Sequence, residues 1–216
     1  MTHHLSPMTK LIIIIAILVF VVALFAYSPT YLTYADKPVK SDVIVLFVGP
    51  DFNAREKEAR KLIEEGYAQH LIVPAYGTVY DFSILTNKTN PTNPTNKPLY
   101  PSYYENTHIE VLEAKRMMDK AGFKSAIFVS SPYHMRRIKT MVEWVFNSAL
   151  LPSEIHEVTA KHFTGAGTQH SALPLRLVPT QYEKIPGGFW MFSNNAIENV
   201  ASEYAKMVWF FAYIED

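Results

Sequence analysis

The chain contains no cysteine. Disulfides, thiolate nucleophiles and thiolate metal sites are therefore excluded, and any chemistry must rest on histidine, serine, asparagine, arginine and carboxylates. Net charge is also lacking: 20 basic and 20 acidic side chains cancel. No overall field draws in nucleic acid, so partners must be recognised locally. Glycine is scarce, with 8 residues in 216, and no G-x-G-x-x-G run follows a strand, which argues against a generic dinucleotide site. His108, His156, His162 and His170 show no metal-ligand spacing, so no metal is expected and the cofactor is unknown.

What the chain does have is one long apolar run. Leu11 to Tyr27, "LIIIIAILVFVVALFAY", spans seventeen uncharged residues, at the short end of what crosses a bilayer. Leu24 occupies the position two before Ala26 where a cleavage site wants a small residue, so residues 1–30 read as an uncleaved anchor. Lys10 precedes the span and favours a cytoplasmic N-terminus with the bulk of the chain outside. Residues 31–41 read as a linker.

From residue 42 to 216 strands alternate with helices. Asp42 to Val48 is a continuous apolar run suited to a strand buried on both faces. Asn53 to Glu65 reads as a helix capped by Asn53, His70 to Val73 as a strand, and Thr107 to Ala121 as a helix. Ser125 to Val129 and Ile155 to Ala160 read as strands, His134 to Val145 and Asn195 to Tyr213 as helices. This rhythm predicts an α/β domain of Rossmann-like type, a parallel sheet with helices on both faces. The repeated Asn-Pro-Thr within residues 84–102 predicts a disordered insertion without chemistry. Residues 161–192 read as an irregular connection. The last helix ends "MVWFFAYI", too short to cross a bilayer; packing on the sheet is expected, with contact at the membrane interface as the alternative.

Helix phase then selects polar residues. In the third helix Ile138, Met141, Val142 and Val145 mark the buried stripe, and one turn back lie His134 and Arg137, whereas Arg136 falls on the water side. Arg55, and Thr107 with Glu110, likewise precede inward stripes. With Asn106 and Ser130 they gather at the carboxyl rim of the sheet, where parallel sheets bind ligands. Bland readings stand beside this one. Thr107-x-x-Glu110 matches a capping box, and Ser130 and Ser131 before Pro132 can simply end a strand. Two inward guanidinium groups are harder to dismiss, because each needs a carboxylate, a carbonyl or a bound anion. A pair with Glu110 would satisfy one and leave the other for a phosphate or carboxylate.

The stretches "DVIVLFVGPDFNAREKEARKLIEEGYAQHLIVP" and "ENTHIEVLEAKRMMDKAGFKSAIFVSSPYHMRRI" resemble a bacterial family of envelope domains of unknown function, typified by SanA, ElyC and YdcF. By position the resemblance carries over Gly49, Arg55, Asn106, Thr107, Glu110, Ser131 or its neighbour Ser130, His134 and Arg137. It implies no particular reaction. From the residue chemistry Gly49, Arg55, Asn106, Thr107, Ser130, Ser131 and Arg137 are expected to bind substrate, with His134 and Glu110 as the catalytic pair. The resemblance also implies a plasma (inner) membrane location, a single span, an extracytoplasmic domain, and work on an anionic precursor, phosphorylated or carboxylated, free or lipid-linked, in cell-wall or lipid-carrier metabolism. The alternative it allows is a non-catalytic sensing or interaction module with protein partners in the envelope. The chain departs from the family pattern where glycines are usual: one glycine, Gly49, follows the first strand, and after the second strand "VPAYG" delays glycine to Gly77.

Overall fold

The computed structural model describes residues 6–82, 107–146, 174–183, 190 and 193–214. The insertion at 84–102, Asn106, the expected strand at 155–160 and most of the connection that follows lie outside these residues.

Val43–Leu46 form strand β1, and all four side chains are fully buried. They can be entirely apolar because β1 has a partner on each edge and a hydrophobic layer on each face. Val43 and Val45 join Ala126 and Phe128 of β4 (Ala126–Ser130) beneath α3 (Thr107–Ala121) and α4 (Met135–Phe146). Ile44 and Leu46 join Ile127 and Val129 on the opposite face, against Ala59 and Leu62 of α2 (Phe52–Glu64). The period-two alternation of apolar side chains thus supplies two cores from one strand.

Five strands form the sheet, in the order β3-β2-β1-β4-β5. The expected all-parallel sheet is corrected here to a mixed one. β2 (His70–Val73), β1, β4 and β5 (Leu175–Pro179) run parallel, but β3 (Thr78–Asp81) pairs antiparallel with β2. The cause lies in "VPAYGTVYD". Pro74–Tyr76 make a 3-10 turn, and Gly77, at φ 60°, takes the left-handed conformation that closes a tight hairpin. The delayed glycine is therefore a turn residue.

Boundaries shift by a residue or two elsewhere. Asn53 does not cap α2: the cap position is Asp51, without a side-chain hydrogen bond, and Glu56 accepts from Arg60 at 2.8 Å. Pro132–His134 form a 3-10 turn leading into α4.

Helix α1 (Pro7–Leu32) is long and apolar enough to cross a membrane, with a mean hydropathy of 3.1 over an 18-residue window of which none is buried. It runs past the expected anchor boundary at residue 30. Its last residue, Leu32, is buried in a cluster with Tyr133, Trp190, Ala196 and Val200. The last two belong to α5 (Asn194–Ile214). Arg136, expected to face water, instead donates from Nε to the Tyr31 carbonyl at 2.9 Å and lies 4.3 Å over the Tyr31 ring. The stretch expected as a free linker is also tied down. The Asp36 N–H donates to the Leu177 carbonyl at 2.8 Å, and its carboxylate accepts from the Leu177 N–H at 3.0 Å.

Candidate functional site

β1 leads through α2 to β2 on one side, whereas β4 leads through α4 to β5 on the other. The chain thus diverges beyond the carboxyl ends of β1 and β4, and a crevice is left between them, which is where open α/β sheets take their ligands. A cleft of about 350 Å³ occupies that position. Seven of the nine residues selected from sequence line it: Gly49, Arg55, Thr107, Glu110, Ser130, His134 and Arg137. Ser131 stands just behind, bonded to Arg55. Asn106 lies outside the described residues.

Arg55 comes from the first turn of α2 and is 2% exposed. Its Nε donates to Ser131 Oγ at 2.9 Å, and its Nη1 to the Val48 carbonyl at 2.6 Å and the Phe47 carbonyl at 3.4 Å. Nη2 has no partner among the described residues, and none of their carboxylates forms an ion pair with this guanidinium. Burial lowers its pKa, while the charges of Glu183, Glu110 and Asp51 oppose that shift. A buried cation in this state has its orientation fixed by neutral acceptors, and carboxylates act on its charge only from beyond ion-pair distance among the described residues.

Gly49 makes the arrangement sterically feasible. A Cβ on this residue would lie 2.6 Å from Arg55 Nη1 and 2.7 Å from Nη2, and the backbone sits at φ 156°. The guanidinium occupies the space where a side chain would be.

Glu110 projects from the first turn of α3, and its Oε1 accepts the Val48 N–H at 3.2 Å. Burial pushes its pKa up to about 8, against the opposing pull of that hydrogen bond and of the charges of Arg55 and Arg137. At neutral pH it is chiefly a neutral acid. Its oxygens therefore do not cancel the charge of Arg55.

Arg137, expected to hold a ligand anion, is already paired. Its Nε donates to Glu203 Oε2 at 2.7 Å and its Nη2 to Glu203 Oε1 at 3.2 Å, while Nη1 donates to the Thr107 hydroxyl. The internal pair foreseen with Glu110 is made with Glu203 instead. Thr107 and Glu110 turn their side chains to Arg137 and Val48, so the capping box that their spacing allowed does not account for them.

Glu203 escaped selection from the sequence. On α5 it shares the buried stripe of Ala196, Val200 and Phe210, and an acidic residue at helical spacing within such a stripe was the available signal. It is 1% exposed and sits 3.0 Å from His134 Nδ1. Burial alone would raise its pKa, but the His134 hydrogen bond and the charges of Arg137 and His134 together hold it well below the usual carboxylate range. An ionised Glu203 accepts a hydrogen bond from Nδ1–H and thereby fixes the imidazole tautomer, leaving Nε2 as the nitrogen that can exchange protons. The 3.4 Å approach of Arg137 Nη2 to Nδ1 is then proximity between two donors.

Ser130 Oγ, Tyr133 OH and Glu183 Oε2 also lack partners among the described residues, and all three residues line the cleft. Burial, helped by Glu183, pushes the Tyr133 hydroxyl up to about 12, so it remains a donor. His108, by contrast, packs among Trp144, Phe210 and Tyr213, where burial pushes it down to about 4. No cluster of three or more potential metal ligands occurs among the described residues.

Fold and site thus define a mixed α/β protein with a polar cleft at the divergence of its central strands. No family model matches the chain, and neither a curated protein nor a solved structure matches it.

Proposed function

We propose that the chain is a membrane-anchored protein of cell-envelope biogenesis whose Rossmann-like domain binds, and by proton transfer transforms, an anionic precursor of the cell wall or of its lipid carrier. The anchor is Leu11 to Tyr27, in the plasma membrane of a bacterium, with the domain outside. The resemblance in "DVIVLFVGP" and "ENTHIE…SSPYHMRRI" supports the envelope setting. One observation carries the anion: Arg55, buried, without a carboxylate partner among the described residues, its Nη2 free in a cleft cradled by Gly49. A phosphoryl or carboxylate oxygen would accept from Nη2, with Ser130 Oγ and Tyr133 OH as further donors. His134, oriented by Glu203, is the base. Glu110, protonated at neutral pH, can return a proton or donate a hydrogen bond to the developing charge. The substrate would thus meet one fixed cation, one base and one acid.

The alternative is a non-catalytic ligand sensor. It is favoured by the absence of a serine nucleophile paired with a base in the described cleft, since Ser131 Oγ receives Arg55 Nε and Ser130 Oγ has no partner there. Titration of the full chain in detergent micelles with inorganic pyrophosphate, followed by thermal unfolding, tests the anion site. Stabilisation should reach about 2.7 kcal/mol at a hundredfold excess over Kd and vanish in Arg55→Gln. Stabilisation that survives in Arg55→Gln defeats the reading. His134→Ala should keep binding and lose turnover of phosphomonoester, diphosphate or ester substrates; absence of turnover in the wild-type chain favours the sensor.

A further inference from the structure

Helix α5 is not uniformly buried. Phe210 is 1% exposed and packs against Trp144 and His108, which pins the end of the helix to the domain. On another face Ala201, Ala205, Val208, Trp209 and Ala212 are all exposed, Val208 at 68% and Trp209 at 71%. Their spacing of i, i+4, i+7, i+8 and i+11 places them in one stripe, and from Ala201 onward that stripe carries no charge. A tryptophan this open on an apolar stripe is costly in water and ordinary at a membrane interface.

The neighbouring side of α5 identifies the occupant. The Tyr204 hydroxyl donates to the Ser28 carbonyl at 3.0 Å, and the Tyr204 ring stacks on Tyr31 at 6.3 Å. Ser28 directly follows Tyr27, the last residue of the apolar run of α1. Along α5 only four residues, about 6 Å of helix, separate Tyr204 from Val208. The interfacial layer on each side of a bilayer is of similar depth, about 5–8 Å. Whatever the tilt of α5, Val208 lies within about 6 Å of the level of Tyr204, so the interfacial layer of a bilayer that holds α1 up to Tyr27 is within reach of this stripe.

We propose that the exposed stripe of α5 seats on the surface of the bilayer crossed by α1, as a second, interfacial contact. This rests on reading α1 as a membrane span. The helix lies along the interface, since its other faces hold Phe210 in the core and Glu203 in the site. Ser202 and Lys206 line the cleft from the same helix, so the seating also fixes the cleft at the membrane surface.

The chain has no cysteine, and a single Cys can carry a nitroxide. Val208→Cys, Ile17→Cys in the span and Glu64→Cys at an exposed position near the end of α2 are made in the full chain, labelled, and reconstituted into vesicles of phosphatidylethanolamine and phosphatidylglycerol. Oxygen and a water-soluble nickel chelate then report lipid and water exposure by electron paramagnetic resonance. The label at 208 should read closer to 17 than to 64, and Ala212→Cys, one turn on, should agree. Water-like labels at 208 and 212 with a lipid-like 17 overturn the inference and leave the anchor standing. A water-like 17 overturns both. Dipolar broadening between labels at 208 assigns the stripe to a second copy of the chain and overturns the membrane contact.

Discussion

Replacing Glu110 by glutamine isolates one buried proton. In the folded chain this carboxyl holds its proton to about pH 8, whereas in the unfolded chain it titrates near the ordinary glutamate value. Its folded pKa is raised, so its contribution to stability is fully present below the unfolded pKa and is lost as pH rises toward the folded one. Each pH unit in that window is worth roughly 1.4 kcal/mol. Between pH 5 and pH 8 the wild-type chain should therefore lose on the order of 4 kcal/mol through this group. Glu110→Gln keeps an oxygen for the Val48 N–H, bonded at 3.2 Å in the native chain, and cannot ionise. Its stability relative to the wild type should thus climb steadily from pH 5 to pH 8 and level off above. Urea unfolding of both proteins in the same micelles at pH 5, 6, 7, 8 and 9 measures this, and all other titrating groups cancel in the difference. A difference that stays constant across the range refutes the claim that Glu110 is a neutral acid in the fold.

Arg137→Ala and Glu203→Ala should each destabilise by about 3–5 kcal/mol, because each strands a buried charge, and the double variant should recover part of that loss. Strict additivity in the double-mutant cycle would deny the pair. Gly49→Ala drives a Cβ to 2.6 Å from Arg55 Nη1 and should cost about 1–3 kcal/mol together with pyrophosphate binding. Gly66→Ala, at φ 77° with nothing within 4 Å, should cost about 1 kcal/mol and leave binding intact. Equal binding in both glycine variants would remove Gly49 from the site.

Local pattern made much of the site legible. Arg55, Thr107, Glu110, His134 and Arg137 all sit one turn before an apolar stripe, and the starts of α2 and α4, which follow the carboxyl ends of the parallel strands β1 and β4, face the same rim. α3 follows the antiparallel β3, so that rule does not account for Thr107 and Glu110. The pairing of those groups was not legible. Glu203 lies 66 residues from Arg137, and nothing local tells which of two inward arginines a distant carboxylate will reach. The same limit explains Arg136: its helix phase is on the outer side, where it stays partly exposed, but the end of α1 packs there and gives it partners. β3 went unread because "TVYD" is a half-exposed edge strand without an apolar run. Its only marker is the turn glycine, Gly77. β5 went unread because "LRLVP" lies in a segment otherwise full of turn residues.

Two buried glutamates, Glu110 in the cleft wall and Glu203 behind Arg137 and His134, have been driven in opposite directions. Glu203 is ionised because Arg137 and His134 face it at hydrogen-bond distance, and Glu110 is neutral because burial outweighs two arginines that do not contact it. In the proposed function such a split separates two roles: the ionised carboxylate orients and supports a base, and the neutral one, whose Oε1 accepts the Val48 N–H, has a proton to donate. Arg137 serves this division by keeping Glu203 charged; in the proposed function that would leave Arg55 as the buried cation for a ligand, while Lys206, half-exposed in the cleft lining, is held to Glu203 Oε1 at 3.1 Å. In the proposed function, acid and anion site would lie on α3 and α2 and the base on the 3-10 turn that leads into α4, and α5 would supply the carboxylate that binds the base to the membrane-proximal end of the fold. Pulling α5 from its seat against α1 would then withdraw Glu203 from His134. Docking of the domain and competence of the base would be one equilibrium, with Glu203 as the group that links them.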